Sequence, residues 1–430
     1  MNNFLLQNGN IYMNGSFFKG DLLIENGKVA AFGTWLAAPA GTTVIDLDGK
    51  LVTPGLVDLH VHLRDPGQTD KETIATGSAA AARGGFTTIA AMPNVDPVPD
   101  SAERVKAMLK RDRNEGKVHI LQYASITKGR VEGPCVDFAA VKAAGAVGVS
   151  NDGSGIQSAA TMWQALNGAA KAGIPLAEHV EENSLKFGGV INAGAKAEEI
   201  GVPGIIGSVE TSQLARDLAL AKAANAPYHV CHLSMADSVA MVRAAKAAGV
   251  KVTAEVTPHH LLLSDSDIPG DDANFKMNPP LRSEADCAAV LQGLVDGTID
   301  CIATDHAPHT AAEKSKGLCG APNGITGSET AFAAIYTKLV RPEGSKLTLT
   351  RLLDAMTSGP AQIFGLQHCG SILPGDAADI AVFDLERGAE VKAEDFASKG
   401  TNSPFVGQTL YGNCAYTFVD GELVYAAEED

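Results

Sequence analysis

Two histidines one residue apart, His60 and His62, have the plainest chemical potential in this chain. They lie in the run Asp58-Leu59-His60-Val61-His62-Leu63-Arg64-Asp65-Pro66-Gly67. On a strand, positions i and i+2 share a face, so the two imidazoles can converge on one cation. Alone, a His-x-His pair is weak evidence, because two surface or core histidines are the commoner explanation. Other residues change the balance. Val147-Gly148-Val149-Ser150-Asn151 runs into Asp152, and later apolar runs end in Glu178-His179, Cys231-His232 and Thr304-Asp305. His60, His62, His179 and His232 with Asp152 and Asp305 make four imidazoles and two carboxylates. That exceeds one tetrahedral zinc site. The set suits two metals about 3.5–4 Å apart, bridged by a carboxylate and a hydroxide. Imidazole nitrogen and carboxylate oxygen favour zinc, with cobalt or manganese as substitutes.

Such a set works only if the elements carrying it open at one end. Candidate strands begin near Leu56, Phe86, Val118, Ala146, Ile174, Tyr228, Lys251 and Asp300, eight in all. Ala-rich helical stretches such as Glu72–Arg83 and Val239–Ala248 separate them, and Gly84-Gly85 stops the first. Alternation of this kind predicts a parallel sheet, and eight units predict an α/β fold of the (β/α)8 TIM-barrel type. The polar residues above then fall at the carboxyl ends of the strands, where barrel active sites are built. A doubly wound open sheet is the alternative, but no GxGxxG follows the first strand. The intervals Val180–Pro227 and Thr257–Ile299 exceed what one helix needs and are expected to hold loops over the active face.

Both chain ends read differently. Asn8-Gly9, Asn14-Gly15, Asn26-Gly27 and Asp48-Gly49 punctuate short apolar runs. These dipeptides supply the positive φ of tight hairpins, which predicts a β meander. Ala378–Phe383, Cys414–Val419 and Glu422–Tyr425 read as strands at the other end. The expected organisation is a barrel over residues 54–368 and a small β-sandwich domain formed jointly by residues 1–53 and 369–430.

Composition narrows the function further. Of 430 residues, 34 are basic and 50 acidic, a formal charge of −16, so neither nucleic acid nor an anionic membrane is the expected partner. No stretch approaches the ~18 uninterrupted apolar residues of a membrane span, and the first residues lack the pattern of a secretory signal. The seven cysteines are scattered without a CxxC pair, which predicts a reducing, cytoplasmic setting.

The motifs together are more specific than any one of them. His60-Val61-His62-Leu63-Arg64-Asp65-Pro66-Gly67, Met92-Pro93-Asn94, Asn278-Pro279-Pro280-Leu281-Arg282, Ala303-Thr304-Asp305-His306-Ala307-Pro308-His309 and Asn402-Ser403-Pro404-Phe405 span nearly the whole chain. The pattern resembles the amidohydrolase superfamily and, within it, the dihydroorotases of the long bacterial class. The resemblance implies that His60, His62 and Asp305 bind one zinc, His179 and His232 a second, and Asp152 bridges the two. Related cyclic amidases often use a carboxylated lysine as the bridge, but no lysine occurs from Ala146 to Ala160. Asn151, where relatives commonly have a second Asp, is expected behind the ligands.

The implied reaction is reversible closure of N-carbamoyl-L-aspartate to L-dihydroorotate in pyrimidine biosynthesis. A bridging hydroxide attacks the ring amide, and Asp305 carries the proton to the departing nitrogen. Arg64, two residues beyond His62 on the same strand face, suits the substrate carboxylate. The family adds His62, Asn94 and His309 around the substrate, with Asn278 and the backbone of Asn323-Gly324 on the ring amide groups. Relatives often have Phe where Asn323 stands. A homodimer and an association with aspartate carbamoyltransferase are also implied.

Other readings stay in view. Another cyclic amidase, an allantoinase or hydantoinase, shares the metal chemistry, although Arg64 and the missing lysine count against it. A catalytically silent homologue partnering aspartate carbamoyltransferase typically lacks metal histidines, and all four are present. His259 and His260 are expected to start a long loop in structural roles, and His229 to face away from His232. His119 and His368 have no evident polar company. His306 and Asp58 are expected behind the site, Asp65 in a turn, and Arg282 either closes the site or braces its loop. Cys231 and Cys301 are expected as buried small hydrophobes.

Overall fold

Eight strands alternate with helices between Leu56 and Ile302 in the computed structural model, which describes residues 2–367 and 369–428. His368 lies outside the described residues. The strands are β1 (Leu56–Val61), β2 (Phe86–Ala91), β3 (His119–Ala124), β4 (Gly148–Ser150), β5 (Leu176–Glu178), β6 (Tyr228–Val230), β7 (Val252–Val256) and β8 (Cys301–Ile302). They pair in sequence order, each parallel to the next. Val61 bridges in parallel to His306 just beyond β8, and His62 N–H donates to His306 O at 2.8 Å, which brings the last strand back to the first. Every residue of β1 and of β2 is buried, as expected of strands covered on both faces.

The helices start and stop where local chemistry dictates. Thr73, Ser101 and Ser158 accept backbone N–H groups at the starts of Ile74–Arg83, Ala102–Glu115 and Ala159–Ala172. Gly145 and Gly173 end theirs in the left-handed conformation. The two long intervals hold the loops expected of them. The first contains a two-stranded ribbon, Ile191–Asn192 with Gly204–Ile205. The second carries Asn278 back to the barrel mouth, braced by buried Arg282, which donates to Ser234 Oγ, Asn192 Oδ1 and Ile205 O.

The chain ends form a second, strand-rich domain whose strands belong to one hydrogen-bonded sheet. Its order runs Glu422–Ala426, Asn413–Val419, Ile380–Asp384, Leu51–Pro54, Asn3–Met13, Ser16–Glu25 and Lys28–Gly33. Two strands separate Asn3–Met13 from Asn413–Val419, a span of about 14 Å in a flat sheet. The rings of Phe4 and Phe418 nonetheless lie 5.1 Å apart, so the sheet curls over and packs on itself around Leu6, Ile11, Leu22, Val52 and Val382.

Two turn expectations need correction. Asn8-Gly9 is no hairpin: Asn3–Met13 runs straight through it with a bulge, and a side chain at Gly9 would press on those of Val52 and Leu47. Nor is the N-terminal part a simple meander. Thr42–Asp46 and Leu51–Pro54 both return parallel to the first strand, so Asp48-Gly49 joins two segments that pair with the same neighbour. Asn14-Gly15 and Asn26-Gly27 do turn hairpins, with positive φ at both residues of each pair. His119 also differs from expectation. It leans on the strand-rich domain, 3.1 Å from Asp379, a partner too distant in sequence to foresee.

Candidate active site

All six metal-competent side chains project from the carboxyl ends of β1, β4, β5, β6 and β8 onto one buried point. His60 Nε2 lies 3.3 Å from Asp152 Oδ1 and 3.5 Å from Asp305 Oδ1. His62 Nε2 lies 2.9 Å from Asp305 Oδ1 and 3.4 Å from Asp152 Oδ2. On the other side, His232 Nε2 is 3.4 Å from Asp152 Oδ1 and 2.9 Å from His179 Nδ1. Asp152 therefore stands among four imidazoles. Two groups, His60 with His62 and Asp305, and His179 with His232 and Asp152, each bring their ligand atoms within 4.8 Å of one another.

This donor set fits divalent cations. His60 Nε2 and Asp152 Oδ1 are buried without a hydrogen-bond partner, although both are aimed at the common centre. Buried polar atoms left in that state are costly unless something else satisfies them. Backbone strain collects at the same place: Arg64, His232 and Asp305 have φ of 59°, 32° and 49°. Electrostatics agree. Burial raises the pKa of Asp152, but His60, His232 and His62 together carry it well below the usual carboxylate range. Asp305 is likewise raised by burial and lowered further by His60 and His62. Both are acceptors at neutral pH.

A layer of polar groups fixes these side chains from behind. His60 Nδ1–H donates to Glu255 Oε1 at 2.7 Å, which turns Nε2 toward the centre. Glu255 also meets His229 Nε2 at 3.0 Å, and burial, opposed by His60 and His229, leaves its pKa at about 2. His62 Nδ1–H donates to Asn94 Oδ1 at 2.8 Å. His179 Nε2 lies 3.3 Å from Glu181, which Lys186 holds at 2.8 Å and which also meets Asn278 Nδ2. Asp58 joins β1 to the β8 end, accepting from Thr304 Oγ1 at 2.6 Å and from His60 N–H at 3.1 Å. Asn151 uses both ends of its amide on Thr127, donating to Oγ1 at 2.7 Å, which explains an amide there. Arg130 holds the Asp152 carbonyl.

Sequence reasoning missed Glu255, Glu181 and Arg130. Glu255 had a readable signal, a carboxylate inside an otherwise uncharged strand, Val252-Thr253-Ala254-Glu255-Val256. Replacing it by Gln keeps shape but weakens the acceptor for His60 Nδ1–H. Metal affinity, measured by competition with a chelator, is expected to fall about 10–100-fold.

Above this centre opens a cavity of about 240 Å³. His62, Arg64, Asn94, Asp152, His179, His232, Asn278, Asp305, His309, Asn323 and Gly324 all line it, and His60 lies beneath. The structure thus gathers every residue singled out from the sequence for the site. Arg64 is buried, and its Nη2 is 3.3 Å from His309 Nε2. Among the described residues no carboxylate forms an ion pair with it. Burial and Arg64 lower the pKa of His309 to about 3, so that imidazole is neutral. Gly324 contributes closeness rather than a free amide, because its N–H already donates to Lys276 O at 3.0 Å. His259 and His260 begin a short helix, Pro258–Leu262, not an open loop, and His260 ties Thr257 to the Pro279 carbonyl. His306 stands behind the site against Glu72, and Asp65 pairs with Arg111. Cys231 and Cys301 are buried.

A parallel eight-stranded barrel with histidines and aspartates at this end defines an amidohydrolase. Family models match accordingly, "Dihydro-orotase-like" over residues 49–238 and "Amidohydrolase family" over residues 211–425. The dihydroorotase of Ligilactobacillus salivarius is 53% identical over 427 residues, covering 99% of each chain. That of Lactiplantibacillus plantarum is 54% identical over 426 residues, again 99% of each. Among solved structures, the L-hydantoinase (dihydropyrimidinase) of Arthrobacter aurescens superposes with a TM-score of 0.89 at 27% identity, covering 100% of this chain and 97% of that one. The chain belongs to the dihydroorotase family.

Proposed function

We propose that this enzyme is a zinc dihydroorotase, closing N-carbamoyl-L-aspartate to L-dihydroorotate and opening it again. The observation that carries the substrate is Arg64, a buried guanidinium at the wall of a metal-competent cavity that forms no ion pair with a carboxylate among the described residues. A charge so placed calls for an anion, and a planar carboxylate matches its fork. His60, His62 and Asp305 would hold one zinc, His179 and His232 another, with Asp152 shared. Bound there, the metals would supply an acidified water and polarise the ring carbonyl.

The chain's own side chains divide the remaining work. Arg64, with Asn94 and His309 beside it, orients the substrate carboxylate. Asn278 and Asn323 face the ring amide groups, and Gly324 leaves room for their close approach. Asp305, at the edge of the cavity and ionised at neutral pH, accepts the proton of the attacking water and passes it to the departing ring nitrogen. In the biosynthetic direction the same carboxylate returns it to the leaving water.

Hydantoinases share the barrel and the metal chemistry, so recognition of the ring carboxylate is the discriminating feature. Arg64→Met keeps length and removes the charge. It is expected to lower kcat/KM for dihydroorotate roughly ten- to hundredfold, with metal content unchanged. The wild type should strongly prefer dihydroorotate to dihydrouracil, which lacks the carboxylate, and the variant should narrow that preference. Equal wild-type turnover of both compounds would move the reading to a dihydropyrimidinase-like enzyme.

The same reading includes a reducing, cytoplasmic setting, supported by seven unpaired cysteines. No helix among the described residues is long and apolar enough to cross a membrane. A homodimer and an association with aspartate carbamoyltransferase rest on the family resemblance. Sedimentation of the chain alone and with that transferase tests both.

A further inference from the structure

The Asn323-Gly324 segment is held in an unusual way. Gly324 has φ of 132°, and a Cβ there would meet the Ala307 side chain at 2.7 Å and the Ala307 carbonyl at 2.8 Å. The segment is therefore pressed against the 307–309 strip that carries His309. Two side chains from outside the barrel strands keep it there. Lys314 is buried, and its ammonium donates to Gly324 O at 2.8 Å, Pro322 O at 3.1 Å and Lys276 O at 3.3 Å. Asn402 donates from Nδ2 to Gly324 O at 2.9 Å and to Ala307 O at 3.3 Å, while its Oδ1 accepts from His309 N–H at 3.0 Å. One glycine carbonyl thus receives both a lysine and an asparagine.

We infer that Lys314 and Asn402 are positioning residues that set the substrate-binding face of the cavity, holding the 322–324 segment against His309. The inference rests on the dihydroorotase reading for the identity of the substrate, though not for the clamp itself. Neither side chain lines the 240 Å³ cavity, so both act through backbone and not on the reacting atoms. Their effect falls on how well substrate is held. Of the metal-competent side chains only Asp305 lies near the clamped strip, two residues before Ala307, and neither Lys314 nor Asn402 bonds to it. A buried lysine is an expensive way to close a loop: burial and the adjacent Lys276 lower its pKa to about 7, with Asp272 and Glu313 opposing and Arg64 adding to the decrease. Three carbonyl oxygens offset part of that cost. The same role accounts for Asn402 in the Asn402-Ser403-Pro404-Phe405 motif, which none of the chemistry above requires.

The test uses the full-length, metal-loaded enzyme with Lys314→Met and, separately, Asn402→Asp, which keeps the acceptor for His309 N–H and removes the donor to Gly324 O. Each variant is expected to raise KM for dihydroorotate about tenfold while kcat stays within about threefold and metal content does not change. Amide hydrogen exchange at Gly324 is expected to accelerate in both. If Lys314→Met fails to fold, Asn402→Asp gives the same readout. Unchanged KM in a folded variant whose Gly324 exchange has accelerated would overturn the inference, as would a fall in kcat with intact KM. Should the wild type not turn over dihydroorotate at all, the functional reading fails by itself. The clamp is then judged on exchange alone, and protection at Gly324 equal to wild type would overturn it.

Discussion

Asp305→Asn is expected to lower kcat by about 10²–10⁴-fold, the range typical of an acid–base group. The substitution is nearly isosteric, and Asn tolerates the positive φ of 49° that this position demands, so the fold should survive. An amide retains an oxygen to face His62 Nε2, now 2.9 Å away, but cannot take up a proton at neutral pH. Substrate binding should therefore survive better than turnover. Steady-state kinetics in both directions, with KM and kcat separated, decide the matter. Near-normal kcat would remove Asp305 from its proposed role.

Asp152→Ala should abolish activity and strip metal from the chain. Asp152 is the carboxylate that three of the surrounding imidazoles approach within 3.4 Å and the fourth, His179, at 3.9 Å. No lysine between Ala146 and Ala160 can take its place. Elemental analysis of the purified variant should show fewer metals per chain than the wild type. Intact-mass measurement of the wild type should reveal no carboxylated lysine. Normal metal content and activity in the variant would defeat the shared-ligand assignment.

Much of the site was legible in the sequence because its signals are local. His60 and His62 announce themselves by spacing, and Asp152, His179, His232 and Asp305 by standing where apolar runs end. The alternation of strand and helix told which end they would share. What escaped depends on long-range pairing. Glu255 reaches His60 across the barrel, and Glu181 joins Asn278 from a loop nearly a hundred residues away. The Asn8-Gly9 pair carries a hairpin's chemistry but serves a bulge, because the residues on both sides of it keep pairing with the distant strand Ser16–Glu25. The curl that brings Phe4 to Phe418 likewise belongs to the assembled sheet and not to any run within it.

The most direct test of the central claim is hydrolysis of L-dihydroorotate by the purified full-length chain, with zinc counted on the same sample. The expected result is turnover with two zinc ions per chain, loss of activity on chelation and recovery when zinc is restored. Full activity in metal-stripped protein, or turnover of dihydrouracil with none of dihydroorotate, would contradict the account.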